Sequence, residues 1–270
     1  MNAPRETQIL QIDWRGKRVA IEYAWIAAER RGAPLMVFLH EGLGSIAMWK
    51  DFPAQLCEAL GVRGLVYSRP GYGRSTPRAA DEHWGNDFMH RQADEVLPAL
   101  LAALSVHEAT PWLFGHSDGA SIALLYACRH PVAGAVVLAP HTMVEQLSVD
   151  SIAKAREAYL HGGLRERLAR YHDDVDSAFW GWNDVWLSQD FRRWNIEDEI
   201  RAITCPVLAL QGLQDEYGTL AHVHGIAQRL PQARVVEIAD CGHSPHRDQP
   251  RAVIDACCAF LGEHSLSRNP

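Results

Sequence analysis

Short runs that are apolar at every position recur along this chain, at 35–39, 64–67, 112–114, 134–138 and 207–210, with a mixed run at 234–238. A strand with one face in water alternates apolar and polar residues. Runs apolar on both faces suit strands buried between two helical layers of a parallel sheet. Two further runs, 8–12 and 18–25, lie close together as in a hairpin, so eight strands are expected. Between them, helical periodicity covers 48–60, 87–104, 120–129, 219–230 and 250–261. The alternation predicts an α/β protein whose mostly parallel eight-stranded sheet is flanked by helices.

One interval breaks that rhythm. From 141 to 203 no strand pattern occurs, and the segment is polar and helical with an aromatic cluster, Phe179-Trp180-Gly181-Trp182-Asn183-Asp184-Val185-Trp186, followed by Phe191 and Trp194. It reads as a helical insertion lying over one end of the sheet. The chain then divides into a core of 1–140 and 204–270 and an inserted cap of 141–203. The cluster is the cap's own core or a wall of a cleft, and an aromatic lid can be both. Trp180, Trp182 and Trp186 are the candidates for substrate contact.

Composition narrows the partners. With 270 residues, 47% of them hydrophobic and 22% charged, the chain is long enough for one large core plus an insertion. A net charge of −7 leaves no excess of Lys and Arg to neutralise phosphates, which excludes nucleic acid as a partner. No apolar run approaches the length of a membrane span, and the first residues lack the apolar core of a secretory signal, so a cytoplasmic location is expected. Six cysteines (57, 128, 205, 241, 257 and 258) show no C-x-x-C spacing, and four lie in apolar segments, so neither disulfides nor a zinc site are expected. The expected partner is a small-molecule substrate, with no cofactor and no metal; a homodimer is compatible with the sequence.

The chemistry is concentrated at strand ends. Gly115-His116-Ser117-Asp118-Gly119 follows one apolar run and precedes a helical one, which describes a serine on a sharp strand-to-helix turn with its hydroxyl projecting. A nucleophilic serine needs a histidine to take its proton and an acid to orient that histidine. Asp215 lies just beyond 207–210 and His243 just beyond 234–238, and loops at the carboxyl ends of later strands are where such groups belong. Glu216 and Asp240 are the rival acids. His246, on the approach to the last helix, reads as structural or at the rim. His40 and His116 read as packing or hydrogen-bonding residues near the site. His222 and His224, two residues apart, do not share a helix face, and a solvated helix surface explains them.

With these motifs the chain resembles the α/β-hydrolase fold over nearly its whole length. His40-Glu41-Gly42-Leu43-Gly44-Ser45, Tyr67-Ser68-Arg69-Pro70-Gly71-Tyr72-Gly73-Arg74-Ser75, the Ser117 pentapeptide and Gly242-His243-Ser244-Pro245-His246 all carry the likeness. The resemblance implies a cofactor-independent capped serine hydrolase with Ser117, Asp215 and His243 as a triad. It also implies an oxyanion hole built from the backbone N–H of Asp118 and that of Gly42, with Leu43 as the rival. Three positions depart from the family pattern: Glu41 replaces the glycine that usually follows the loop histidine, Asp118 sets an acid beside the nucleophile, and Ser68 stands where relatives often carry Asp. A carboxylic ester is the expected substrate. Carbon–carbon hydrolysis of a ring-cleavage product, thioester or peptide hydrolysis, and a non-catalytic ligand receptor are the alternatives. One of the acids at 41 and 118 is a candidate to meet a polar or cationic substrate group.

Overall fold

A computed structural model describes residues 6–106 and 110–265. Its eight strands are β1 (Gln8–Trp14), β2 (Lys17–Ile26), β3 (Leu35–Leu39), β4 (Arg63–Tyr67), β5 (Trp112–His116), β6 (Gly134–Leu138), β7 (Val207–Gly212) and β8 (Ala233–Ile238). They form one sheet in the order β1-β2-β4-β3-β5-β6-β7-β8. β2 pairs antiparallel with both β1 and β4, and the remaining pairs are parallel.

The apolar runs fill the central strands because both faces of those strands are covered. In β3, Leu35, Val37 and Leu39 join one core while Met36 and Phe38 join the other. Strand order reverses around β3, which lies between β4 and β5, so the crevice beyond its carboxyl end is a topological switch point where open α/β sheets bind ligands.

The helices are α1 (Phe52–Leu60), α2 (Phe88–Arg91), α3 (Leu97–Ala103), α4 (Asp118–Ala127), α5 (Gln146–His161), α6 (Leu164–Leu168), α7 (Val175–Leu187), α8 (Ala221–Arg229), α9 (Pro245–Asp248) and α10 (Pro250–Ser265). Two expected helices are divided. The 48–60 pattern splits into a 3₁₀ turn at Ile46–Trp49 and α1, with Lys50 at φ 52° between them and Pro53 in the first turn of α1. The 87–104 pattern widens into a π turn at Gln92–Val96 just before Pro98, whose ring nitrogen has no hydrogen to donate to the turn above. The link between β6 and β7 carries α5, α6 and α7 and two 3₁₀ turns, with a single isolated bridge between Met143 and Asn195.

Candidate active site

Ser117 occupies a backbone conformation, φ 54° and ψ −121°, that side chains other than glycine rarely adopt. The glycines on either side explain how the turn fits. A Cβ on Gly115 would lie 2.3 Å from the Gly119 carbonyl oxygen, and one on Gly119 would lie 2.1 Å from that of Leu39. Both clashes are with backbone, which cannot swing aside. Helix α4 opens immediately after the serine, two residues earlier than the apolar pattern indicated. Asp118 is therefore its first residue, and its N–H has no carbonyl one turn back to bond.

The later loops bring in the partners. His243 Nε2 lies 2.9 Å from Ser117 Oγ, and its Nδ1 lies 2.8 Å from Asp215 Oδ1 and 3.0 Å from Oδ2. Asp215 Oδ1 also accepts from the N–H groups of Tyr217 and Gly218, and Oδ2 accepts from Gln211. Burial acts to raise the Asp215 pKa, but the bonds from His243 and these two amides hold it below the ordinary carboxylate value. The rival Glu216 serves the same loop differently: its Oε2 accepts the backbone N–H of His243. His116 Nε2 donates to the His243 carbonyl at 2.7 Å. The imidazole is thus fixed through its ring and its backbone alike.

The loop after β3 comes alongside the nucleophile because β3 and β5 are neighbours, with Leu39 opposite Gly115. Gly42 is covered by the Trp182 indole, and a Cβ there would lie 2.2 Å from Trp182 Nε1. Both Gly42 and Leu43 border the cavity over Ser117. His172, between α6 and α7, reaches down to this loop: its Nδ1 accepts from Gly73 N–H at 2.9 Å and its Nε2 donates to the Leu43 carbonyl at 3.0 Å. Burial keeps the His172 pKa below its ordinary value, consistent with one nitrogen accepting and the other donating. Ser68 Oγ donates to Glu22 Oε2 at 2.7 Å, so a buried carboxylate from β2 stands beside this loop.

A cavity of about 170 Å³ opens over Ser117, with Trp182, Trp186, Ile152 and Tyr217 among its walls. Trp180 does not border it. On α7, Trp182 and Trp186 are one turn apart and share a face, whereas Trp180 is two residues, about 200°, away from Trp182. Trp180 instead packs edge-on against Tyr159 and Phe179 with Arg156 over its ring. Trp182 and Trp186 also belong to the main core, so the cluster is core and cavity wall together. A larger groove, about 490 Å³, runs past Arg15, Arg18, Arg78 and Trp84 and includes no member of the Ser117–His243–Asp215 chain.

Other histidines sort by burial. His246 is 4% exposed and packs tilted against Trp49 and edge-on against Phe52 and His116; burial pushes its pKa down to about 3. His40 is buried, with Nε2 accepting the Arg69 N–H. His222 is not at a solvated surface: it is fully buried, accepts from Thr142 N–H and lies 3.0 Å from Glu145 Oε2, while His224 faces solvent. The same 200° step that separates Trp180 from Trp182 separates these two. His141 and Tyr217 border the cavity and were passed over in the sequence, although each follows the carboxyl end of a central strand, as the triad candidates do. Among the described residues no group of three or more His, Cys, Asp or Glu could hold a metal ion, and no helix is long and apolar enough to cross a membrane.

Residues 36–256 match the model of the alpha/beta hydrolase family. Among curated relatives, the chain is 24% identical to an sn-1-specific diacylglycerol lipase of Mus musculus, over 84% of this chain and 81% of that one. It is 27% identical to a 2-succinyl-6-hydroxy-2,4-cyclohexadiene-1-carboxylate synthase of Enterobacter sp., over 87% of this chain and 93% of the other. A solved thermophilic esterase of Thermogutta terrifontis shares the fold with a TM-score of 0.71 at 20% identity, covering 95% of this chain and 99% of that one.

Proposed function

The chain belongs to the alpha/beta hydrolase family, and from that premise we propose that it cleaves a carboxylic ester of a small molecule through an acyl-enzyme on Ser117. The observation that carries the reading is the unbroken chain Ser117 Oγ, His243, Asp215, with contacts of 2.9 Å and 2.8 Å. Ser117 Oγ attacks the ester carbonyl as its proton passes to His243 Nε2. Asp215 holds the proton on Nδ1, so Nε2 is free to accept, and it stabilises the imidazolium that forms.

The negative charge that develops on the carbonyl oxygen meets the Asp118 amide at the start of α4 and an amide of the β3 loop, from Gly42 or Leu43. Such donors in a site shielded from water are each worth about 3 kcal/mol of barrier. His243 then protonates the leaving alkoxide, and a water activated by the same nitrogen releases the acid.

The β6–β7 link acts as a cap in this reading, supplying Trp182 and Trp186. A cavity of about 170 Å³ suits a short or single-ring acyl group, since about 150 Å³ is enough to hold benzene. Its lining includes Glu41, Asp118 and Glu216 and neither Lys nor Arg, which favours a neutral or cationic ester over the acidic product of ring cleavage. A receptor that only binds would not need a base against the serine.

The test is a series of p-nitrophenyl esters of graded acyl size. Hydrolysis is expected to peak at short or aromatic acyl groups, and Ser117→Ala, shown folded by circular dichroism, is expected to lose it by about 10³-fold or more. Equal hydrolysis by wild type and Ser117→Ala, or none by folded wild type, contradicts the reading.

A further inference from the structure

The two acids that depart from the family pattern are used differently. Glu41 Oε2 lies 3.5 Å from His116 Nδ1; burial acts to raise its pKa, but the contact with His116 holds it below the ordinary carboxylate value. Asp118 is 1% exposed; its Oδ1 accepts from Trp186 Nε1 at 3.2 Å, and its Oδ2 is buried with no hydrogen-bond partner among the described residues. A buried carboxylate oxygen left unpaired is costly, and a water, an ion or a ligand group that bonds it offsets that cost.

A second polar atom on the same wall is in the same position. His141 borders the cavity, its Nδ1 is buried without a partner, and its ring stands 4.9 Å from the Trp186 ring that bonds Asp118. Asp118 and His141 therefore flank one indole, each with one buried side-chain atom that no group among the described residues bonds. Arg69, the cation whose charge acts on Asp118, does not border the cavity: its Nη2 donates to the Glu41 carbonyl and its guanidinium covers the Tyr72 ring. Burial holds His141 well below its ordinary pKa, so it is neutral, and in the tautomer with its proton on Nε2 its Nδ1 accepts. Burial raises Asp118 to about 6, which still leaves it ionised at pH 7.

We propose that the acyl group of the substrate carries a protonated amine, which donates to Asp118 Oδ2 and His141 Nδ1 and lies against the indole of Trp186. The inference rests on the ester-hydrolase reading. The acyl group is assigned to this cavity because it is the part that stays on Ser117 between the two half-reactions. An ammonium suits both free acceptors, and an indole face adds cation–π attraction in a desolvated site. A hydroxyl would satisfy the same atoms without answering the carboxylate charge.

The experiment compares kcat/KM at pH 7 for the methyl esters of alanine, lactate and isobutyrate, whose acyl groups differ in one substituent, together with 3-aminopropanoate against butanoate. One of the amino esters is expected to exceed its methyl isostere by about tenfold or more. In Asp118→Asn, which keeps the backbone amide and the side-chain shape, that ratio is expected to fall toward one whatever the absolute rate. Calorimetry on Ser117→Ala, comparing alaninamide with isobutyramide, is expected to show binding of the amine alone. Preference for the isobutyrate or lactate ester, a ratio unmoved in Asp118→Asn, or equal binding of the two amides overturns the proposal. Amide binding without turnover of any ester would instead overturn the hydrolase reading and leave the amine site standing.

Discussion

At the scale of single residues, the tautomer of His243 depends on whether the group at position 215 accepts from or donates to its Nδ1. An aspartate can only accept, which places the proton on Nδ1. An asparagine can turn its amide toward Nδ1 and donate, which favours the tautomer that cannot accept from Ser117. Asp215→Asn is therefore expected to lower kcat by about 10⁴-fold while circular dichroism stays unchanged; a loss under about tenfold would remove Asp215 from the mechanism. The three residues were legible in the sequence because each stands just past an apolar run, and strand ends fix position to within a loop. Trp180 was misassigned because a cluster of aromatics says nothing of which helix face each occupies until the packing partners are known. The free oxygen of Asp118 was invisible for a similar reason: its Trp186 partner lies 68 residues away in sequence.

Between elements, close approach decides what the chain tolerates. Gly119 packs α4 against the end of β3, and its absent side chain faces backbone; the nearest atoms to a Cβ on Gly42 are those of the Trp182 indole. Gly119→Ala is expected to lower stability by about 2 kcal/mol or more, since strand and helix must separate. Gly42→Ala is expected to cost less stability and more kcat/KM, because displacing Trp182 or the loop disturbs the donors beside Ser117. Thermal melting and kinetics on the two variants check this, and the reverse ranking would show that the β3 loop does not position the reacting carbonyl. The five central strands β3 to β7 were legible because each is apolar on both faces, while β1 and β2 were read from their hairpin spacing and β8 from a mixed run at the same rhythm. Helix boundaries were less so: Pro98 widened one turn, and α4 began at Asp118 because the serine turn feeds straight into it.

Across the whole molecule, four buried histidines set the response to acid. His40, His141, His172 and His246 all have pKa values lowered by burial, the last to about 3. Their folded pKa lies below the unfolded value of about 6.5, so below that pH the unfolded chain binds more protons and stability falls as pH falls. Asp118, raised to about 6, acts in the opposite sense between about pH 6 and pH 4, but one group cannot offset four. Denaturant unfolding is expected to show stability falling from pH 6.5 to 5, with His246 alone accounting for about 2 kcal/mol at pH 5. His246→Phe should have a shallower slope than wild type; a wild-type stability that is flat over this range would contradict the burial of these rings. The same packing that keeps the histidines neutral surrounds Ser117, and the account as a whole stands on that serine becoming acylated. Acid-quenched mixing with p-nitrophenyl acetate, followed by intact mass measurement and peptide mapping, tests it directly. One acetyl group on Ser117, absent from Ser117→Ala, is the expected result; continued turnover with the acyl group on another residue, or on none, would contradict it.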